Sequence, residues 1–315
     1  AFVIVSWLLT DNIAQRANLT MALDDRGVAL DQAVVARDEA DQAAVEAKEE
    51  ADTTQEVLDF MVGLFEISDP SEARGETITA REILDRGVDQ IDEALEGEPL
   101  IKARLQVVMG NVYESLGLYA IAEPLLEEAL ATWRKQLGDD HPDTLSSLNN
   151  LATLYFRQGR FDEAEPLHLE ALEKRRGVLG DDHPHTLNSL NNLATLYLNQ
   201  GRFDEAEPLL LEVLEKSRRI LGDDHPDTLI SLNNLASLYL NQGRFDEAEP
   251  LYLEAIEKRR RILGDDHPDT LDSLNNLANL YFRQGRFDEA EPLYLEALEK
   301  RRGVLGDDHP DTLNS

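Results

Sequence analysis

A 42-residue repeat constrains the fold of this chain more than any other feature of its sequence. The run Gly-Arg-Phe-Asp-Glu-Ala-Glu-Pro-Leu begins at Gly159 and returns three more times in steps of 42 residues. The shorter run Gly-Asp-Asp-His-Pro begins at Gly138 and keeps the same step up to Gly306. An internal repeat of this length indicates an array of small units that pack on their neighbours, not one or two ordinary globular domains.

The two glycine-centred runs divide each unit into two helices. In the unit that begins at His183, Pro184 suits the first turn of a helix, because its missing N–H breaks no bond there. His183 or the aspartate before it caps that turn, and Gly201 supplies a left-handed stop. The second helix begins with acidic residues and ends with basic residues before Gly222, in agreement with the helix dipole. Each unit is therefore predicted to be a helical hairpin.

One helix of each unit carries a family signature. The run Leu-Asn-Asn-Leu-Ala-Thr-Leu-Tyr at 190–197, with Gly201, Ala206 and Leu210, resembles the tetratricopeptide repeat in the long variant of kinesin light chains. The resemblance covers residues 99–315. It implies an all-α fold, a right-handed α-solenoid of tetratricopeptide-type helical hairpins whose first helices line the concave surface. A diverged unit is expected from 99, followed by units from 141, 183, 225 and 267 and a partial unit from 309.

An apolar, uncharged segment, residues 1–10, opens the chain. It is too short to cross a membrane alone, since a spanning helix needs about 20 residues. We interpret it as the end of a membrane-spanning helix; a signal-peptide remnant and a short helix docked on the solenoid are the alternatives. The chain starts with alanine and stops at Ser315, inside a motif that has just restarted. We therefore expect it to be a piece of a longer protein.

Two further segments precede the array. Residues 11–53 lack proline and are rich in alanine and charged residues, which predicts one long helix. Between 29 and 47 its alanines follow the spacing of a coiled-coil seam, but alanine buries little area. This helix is therefore either a solvated stalk or a weakly self-associating coiled coil. Residues 54–98 contain two amphipathic stretches and are expected to form a divergent helical hairpin that caps the array.

A second resemblance lies within residues 55–98. Phe-Met-Val-Gly-Leu-Phe from Phe60, with the run from Thr79 to Gly87, is similar to the segment that follows the transmembrane helix in bacterial receptor-type serine/threonine kinases with C-terminal repeats. The resemblance implies a kinase domain before Ala1, a membrane anchor through the N-terminus, and repeats that lie outside the cytoplasm as a sensor or scaffold. The alternative is a soluble, cytoplasmic adaptor like a kinesin light chain, without a kinase.

Charge and motif content exclude several classes of function for the chain. The chain has 63 acidic and 30 basic residues, a formal net charge of −33 that repels nucleic acid. It has no cysteine and no phosphate-loop, serine-elbow, zinc-protease or kinase catalytic motif. The histidines that recur once per unit, such as His141 and His183, are poorly placed to share a metal between neighbouring helices and are predicted to cap helices. We therefore expect a non-enzymatic scaffold without a cofactor or metal, whose partner is a protein or peptide.

The first helix of each unit has an apolar face and a polar face. In the unit from 141, Leu148, Leu151 and Tyr155 fall on the apolar face and are predicted to be core. The opposite face is rich in asparagine, whose amide both donates and accepts hydrogen bonds, as the backbone of an extended peptide requires. The alternative is that these asparagines bond to neighbouring units and hold the register of the stack. The predicted peptide-binding groove consists of Asn149, Asn150, Thr153, Arg157, Asn188, Asn191, Asn192, Thr195, Asn199, Asn233, Asn234, Ser237, Asn241, Asn275, Asn276, Asn279 and Arg283.

Overall fold

The chain divides into two compact units, Ala1–Glu96 and Gly97–Ser315. A computed structural model describes residues 97–306, together with 82, 84–88, 91 and 95. In the first unit, residues 84–88 are helical and Leu84 is buried. No helix in these described ranges is long and apolar enough to cross a membrane.

Four of the predicted segments fall mainly on residues that the structure does not describe. They are the apolar start at 1–10, the stalk or coiled coil at 11–53, most of the hairpin at 54–98, and the partial unit from 309. These segments, including the long N-terminal helix, stay predictions.

Helical hairpins make up the described part of the second unit, which confirms the predicted all-α solenoid. Between residues 97 and 306 the helices are α1 (Pro99–Ser115), α2 (Tyr119–Leu137), α3 (Pro142–Arg157), α4 (Phe161–Leu179), α5 (Pro184–Asn199), α6 (Phe203–Ile220), α7 (Pro226–Gln242), α8 (Phe245–Leu263), α9 (Pro268–Arg283) and α10 (Phe287–Leu305). We call the odd-numbered helices first helices and the even-numbered ones second helices. Each helix packs on the next along the chain.

Local chemistry sets where these helices begin and end. His183 Nδ1 accepts a hydrogen bond from the backbone N–H of His185 at 3.2 Å, and Pro184 occupies the first turn of α5. His141, His225 and His267 cap their helices in the same way, which confirms the predicted role of these histidines. Gly201, at a φ of 74°, makes the left-handed turn that ends α5.

The core lies between the two layers of helices. Leu148, Leu151 and Tyr155 are buried, as predicted from the apolar face of α3. On the second helix of that unit, Ala164 and Ala171 are fully buried, so α4 lies close to its neighbours there. Small residues at a helix contact allow the backbones to approach, and the larger leucines fill the remaining space.

A buried threonine holds the linker between consecutive units. Thr186 is fully buried, and its Oγ1 donates a hydrogen bond to the Gly180 carbonyl at 2.8 Å. Gly180 follows the last residue of α4, so the bond connects the end of one unit to the start of the next. The equivalent bonds at 2.8–2.9 Å join Thr144 to Gly138, Thr228 to Gly222 and Thr270 to Gly264.

An arginine in the hairpin turn of each unit from 141 to 267 joins that unit to the preceding one. The guanidinium carbon of Arg202 lies 4.0 Å from the centre of the Tyr197 ring, within cation–π distance. The same guanidinium donates to Glu165 of the preceding unit at 2.7 Å and to Glu205 of its own unit. We call this contact the arginine seam. The other seam pairs are Arg160 with Glu123, Arg244 with Glu207 and Arg286 with Glu249.

Candidate functional site

The paired asparagines of the first helices form a ladder across the units. Asn192 Nδ2 on α5 donates to Asn149 Oδ1 on α3 at 2.7 Å. The next two rungs join Asn234 to Asn191 at 3.0 Å and Asn276 to Asn233 at 3.2 Å. Each rung connects the second asparagine of one unit to the first asparagine of the unit before it. The ladder corresponds to the alternative left open by the sequence, in which these amides hold the register of the stack.

The ladder does not use all the hydrogen-bonding capacity of these amides. An asparagine side chain has two N–H donors and two acceptor lone pairs. One rung uses one donor of one asparagine and one acceptor lone pair of the other. Asn150 forms no rung, and no side-chain hydrogen bond is found for it within the described residues. All the predicted groove residues are at least partly exposed. A peptide on this face would therefore meet accessible amides even with the ladder in place.

Other predicted groove residues are already partnered. Arg157 Nε lies 2.6 Å from the Glu114 carboxylate, whose pKa is raised by burial and lowered, to a smaller extent, by this arginine. The Tyr294 hydroxyl donates to Asn279 Oδ1 at 2.6 Å. Arg283 donates to Asn241 at 3.4 Å, which is a long contact. These side chains contribute to packing between helices, and the arginine at 157 is not a free cation for a ligand.

Two cavities lie among these residues. The first, of about 450 Å³, is lined by Asn149, Asn150, Asn188, Asn191 and Asn192 of the predicted groove. It is also lined by second-helix residues that the sequence analysis did not single out, namely Arg175, Val213 and Ser217.

The second cavity, of about 360 Å³, is lined by Thr153, Arg157, Asn192 and Thr195, with His168 from a second helix. The predicted residues that line neither of these two cavities are Asn199, Asn233, Asn234, Ser237, Asn241, Asn275, Asn276, Asn279 and Arg283.

His168 is the buried titratable group of the second cavity. Its side chain is 2% exposed, and its Nδ1 has no hydrogen-bond partner within the part of the chain that the structure describes. Burial and, to a smaller extent, the positive charge of Arg175 together lower the pKa of His168 to about 4. The imidazole is therefore uncharged at neutral pH, with one ring nitrogen available to accept a hydrogen bond.

Known proteins match the array. A family model described as tetratricopeptide repeat matches residues 101–177, 146–215, 188–257, 231–302 and 271–315. Among solved structures, a Podosopora anserina kinesin light chain with nearly identical TPR-like repeats is 30% identical, with a TM-score of 0.55 over 65% of this chain and 97% of that one. BtubC (BKLC) from P. vanneervenii is 25% identical, with a TM-score of 0.59 over 74% of this chain and 95% of that one.

A more distant structure shows the same fold. NprR in complex with its cognate peptide NprX is 16% identical, with a TM-score of 0.55 over 80% of each chain. No curated protein sequence matches the chain significantly.

Proposed function

The chain belongs to the tetratricopeptide repeat family, and on this basis we propose that its array is a protein-interaction scaffold that binds an extended peptide along its first helices. The array contributes binding and no chemistry of its own. NprR, a protein of the same fold, carries its cognate peptide in the solved complex. That complex supports a peptide as the class of ligand.

The pattern of differences between the units carries this proposal. The four units that begin at 141, 183, 225 and 267 differ from one another at 11 of their 42 positions. Eight of these eleven positions supply residues to the two cavities. In the unit from 141, the residues at the other three positions are Leu172, Gly177 and Val178. A surface that served only to stack identical units would not need different residues in each, whereas a binding surface would.

The first test uses Asn150, because its amide forms no rung of the ladder. The full chain is screened against a library of peptides, and the affinity of the selected peptide is measured by calorimetry. Asn150→Ala is expected to weaken binding about two- to tenfold, since a net hydrogen bond contributes about 0.5–1.5 kcal/mol. The melting temperature should stay unchanged, because no bond within the protein is lost.

A matched variant separates binding from stacking. Asn192→Ala removes the same side-chain amide from the equivalent position of the next unit, but it breaks the 2.7 Å rung to Asn149. This variant is expected to lower the melting temperature as well as the affinity. Wild-type affinity for the selected peptide in the Asn150→Ala variant would contradict the groove assignment, whatever the behaviour of Asn192→Ala.

The cellular setting rests on the resemblance within residues 55–98. It supports a scaffold or sensor region of a membrane-anchored bacterial serine/threonine kinase, with the repeats outside the cytoplasm. The second candidate is a soluble adaptor similar to kinesin light chains, which the Podosopora anserina relative supports at 30% identity. Sequencing the gene upstream of Ala1 decides between them: a kinase domain followed by further apolar residues supports the first, and an immediate start codon supports the second.

A further inference from the structure

One position on the inner face of the second helices differs between units in an informative way. Three units carry arginine there, as Arg175, Arg259 and Arg301, and the unit from 183 carries Ser217. All three arginines are buried, with 5–6% of each side chain exposed. A buried guanidinium needs hydrogen-bond acceptors around it. The units with arginine therefore show which acceptors this part of the fold places around a guanidinium.

Arg175 and Arg259 share two kinds of hydrogen-bond acceptor. Arg175 Nη1 donates to the Ser189 hydroxyl at 2.8 Å and to the His185 carbonyl at 3.2 Å, and its Nη2 lies 3.4 Å from the Leu145 carbonyl. Arg259 Nη1 donates to the hydroxyl and the carbonyl in the same register of the next unit, at 2.5 and 2.8 Å. Two acceptors, a serine hydroxyl and a backbone carbonyl, therefore recur around each guanidinium.

The unit with Ser217 keeps the acceptors and lacks the arginine. Leu187, Asp227 and Ser231 stand in the register of Leu145, His185 and Ser189, and all three line the first cavity together with Ser217. The Ser217 hydroxyl is buried and has no hydrogen-bond partner within the described residues. Ser231 donates its own proton to the Asp227 carbonyl at 2.8 Å, which leaves its oxygen lone pairs available as acceptors.

The charges around the cavity also suit a cation. Asp227 lies in the register of Asp269, a carboxylate that opposes the lowering of the Arg259 pKa by burial. His185 is uncharged at neutral pH, because burial, then Arg175, lower its pKa. Arg175 lines the cavity as a like charge, but Arg259 and Arg301 show that the fold accepts buried guanidinium groups in consecutive units. The chain as a whole carries a formal charge of −33 and attracts cations.

We propose that the first cavity is a guanidinium site, which takes the side chain of an arginine in the bound peptide. The asparagines of the first helices line the same cavity, so an arginine of a peptide on these helices reaches it from the groove. The ligand guanidinium then occupies the place that the chain's own arginines occupy in the other units. That the arginine comes from a peptide rests on the proposed function. The site itself is inferred from the acceptors that line the cavity.

The test uses a probe that does not depend on finding the natural peptide. N-acetyl-arginine-N-methylamide is titrated into the full chain and followed by NMR, alongside the citrulline analogue, which has the same shape without the charge. The arginine probe is expected to bind at least about tenfold more tightly than the citrulline probe, because charged hydrogen bonds are stronger than neutral ones. Equal binding of the two probes would overturn the guanidinium site.

Two variants locate the site. Ser217→Arg restores the residue of the other three units and is expected to abolish probe binding at the first cavity while the melting temperature stays the same or rises. Arg259→Ser is expected to create a second site, so that two probes bind per chain. Ser231→Ala removes one acceptor and should weaken binding even if Ser217→Arg fails to fold. Unchanged binding in Ser217→Arg, or in Ser231→Ala, would contradict the assignment.

The outcomes distinguish this inference from the groove proposal. Selected peptides that lack arginine and bind Ser217→Arg at wild-type affinity would overturn the assignment of a peptide arginine as the ligand of this site and leave the groove standing. Binding of the arginine probe by a chain that selects no peptide would leave the site standing and overturn the groove.

Discussion

His168→Leu is expected to make the protein more resistant to acid. In the unfolded chain the imidazole titrates near pH 6.5, whereas in the native chain burial and Arg175 lower its pKa to about 4. Between these values the unfolded state binds a proton that the native state does not, so the native state loses stability as the pH falls. Leucine does not titrate, so the variant does not lose stability in this way. Relative to its value at pH 7, the free energy of unfolding of the variant minus that of wild type should increase by about 2 kcal/mol at pH 5 and by about 3 kcal/mol at pH 4.

Leucine is a suitable replacement because the fold already holds it in this register. Leu126 and Leu210 occupy the same position in neighbouring units and are fully buried. Urea unfolding at pH 7, 5 and 4 measures the effect, and Leu210→Met serves as the control, whose difference from wild type should not depend on pH. A difference between wild type and His168→Leu that stays constant from pH 7 to 4 would show that the native histidine titrates normally.

Thr186→Val is expected to destabilise the array by about 1–2 kcal/mol. Valine keeps the shape of threonine but cannot donate to the Gly180 carbonyl, which loses its 2.8 Å bond at the junction of two units. The side chain is fully buried, so water does not replace the lost donor. Chemical unfolding measures the stability, and hydrogen exchange should show faster exchange on both sides of the junction, since a repeat array is stabilised by contacts between neighbours.

Thr186→Ser provides the matched control for this bond. Serine retains the hydroxyl and removes one methyl group, so it should recover part of the stability that valine loses. A Thr186→Val variant as stable as wild type, with serine the less stable of the two, would indicate that the methyl group and not the hydroxyl matters at this position.

Local rules allowed most of the fold to be predicted from the sequence. The His-Pro pair starts the first helices α3, α5, α7 and α9, and Gly201 ends α5; each of these signals depends only on residues next to it in the chain. The apolar face of α3 was predicted in the same way. The ladder was only one of two alternatives, because the bond from Asn192 to Asn149 depends on the distance between helices, which spacing within one helix does not determine.

The second-helix residues of the cavities were missed for a different reason. His168 and Ser217 sit at positions where other units carry leucine, tyrosine or arginine, on the face that packs towards the first helices. An amphipathic pattern assigns such a face to the core and does not distinguish a filled position from one that lines a cavity. The signal was present in the differences between units, which become informative only once the structure shows where those positions lie.

The arginine seam has a consequence for how the number of units in such a chain changes during evolution. The same arginine and glutamate meet at every junction from Arg160 to Arg286, so this contact does not depend on which two units it joins. A whole unit gained or lost by recombination therefore still finds the seam partner on each side. The length of the binding surface can therefore change by whole 42-residue units. Point substitutions at the cavity positions alter what each unit recognises.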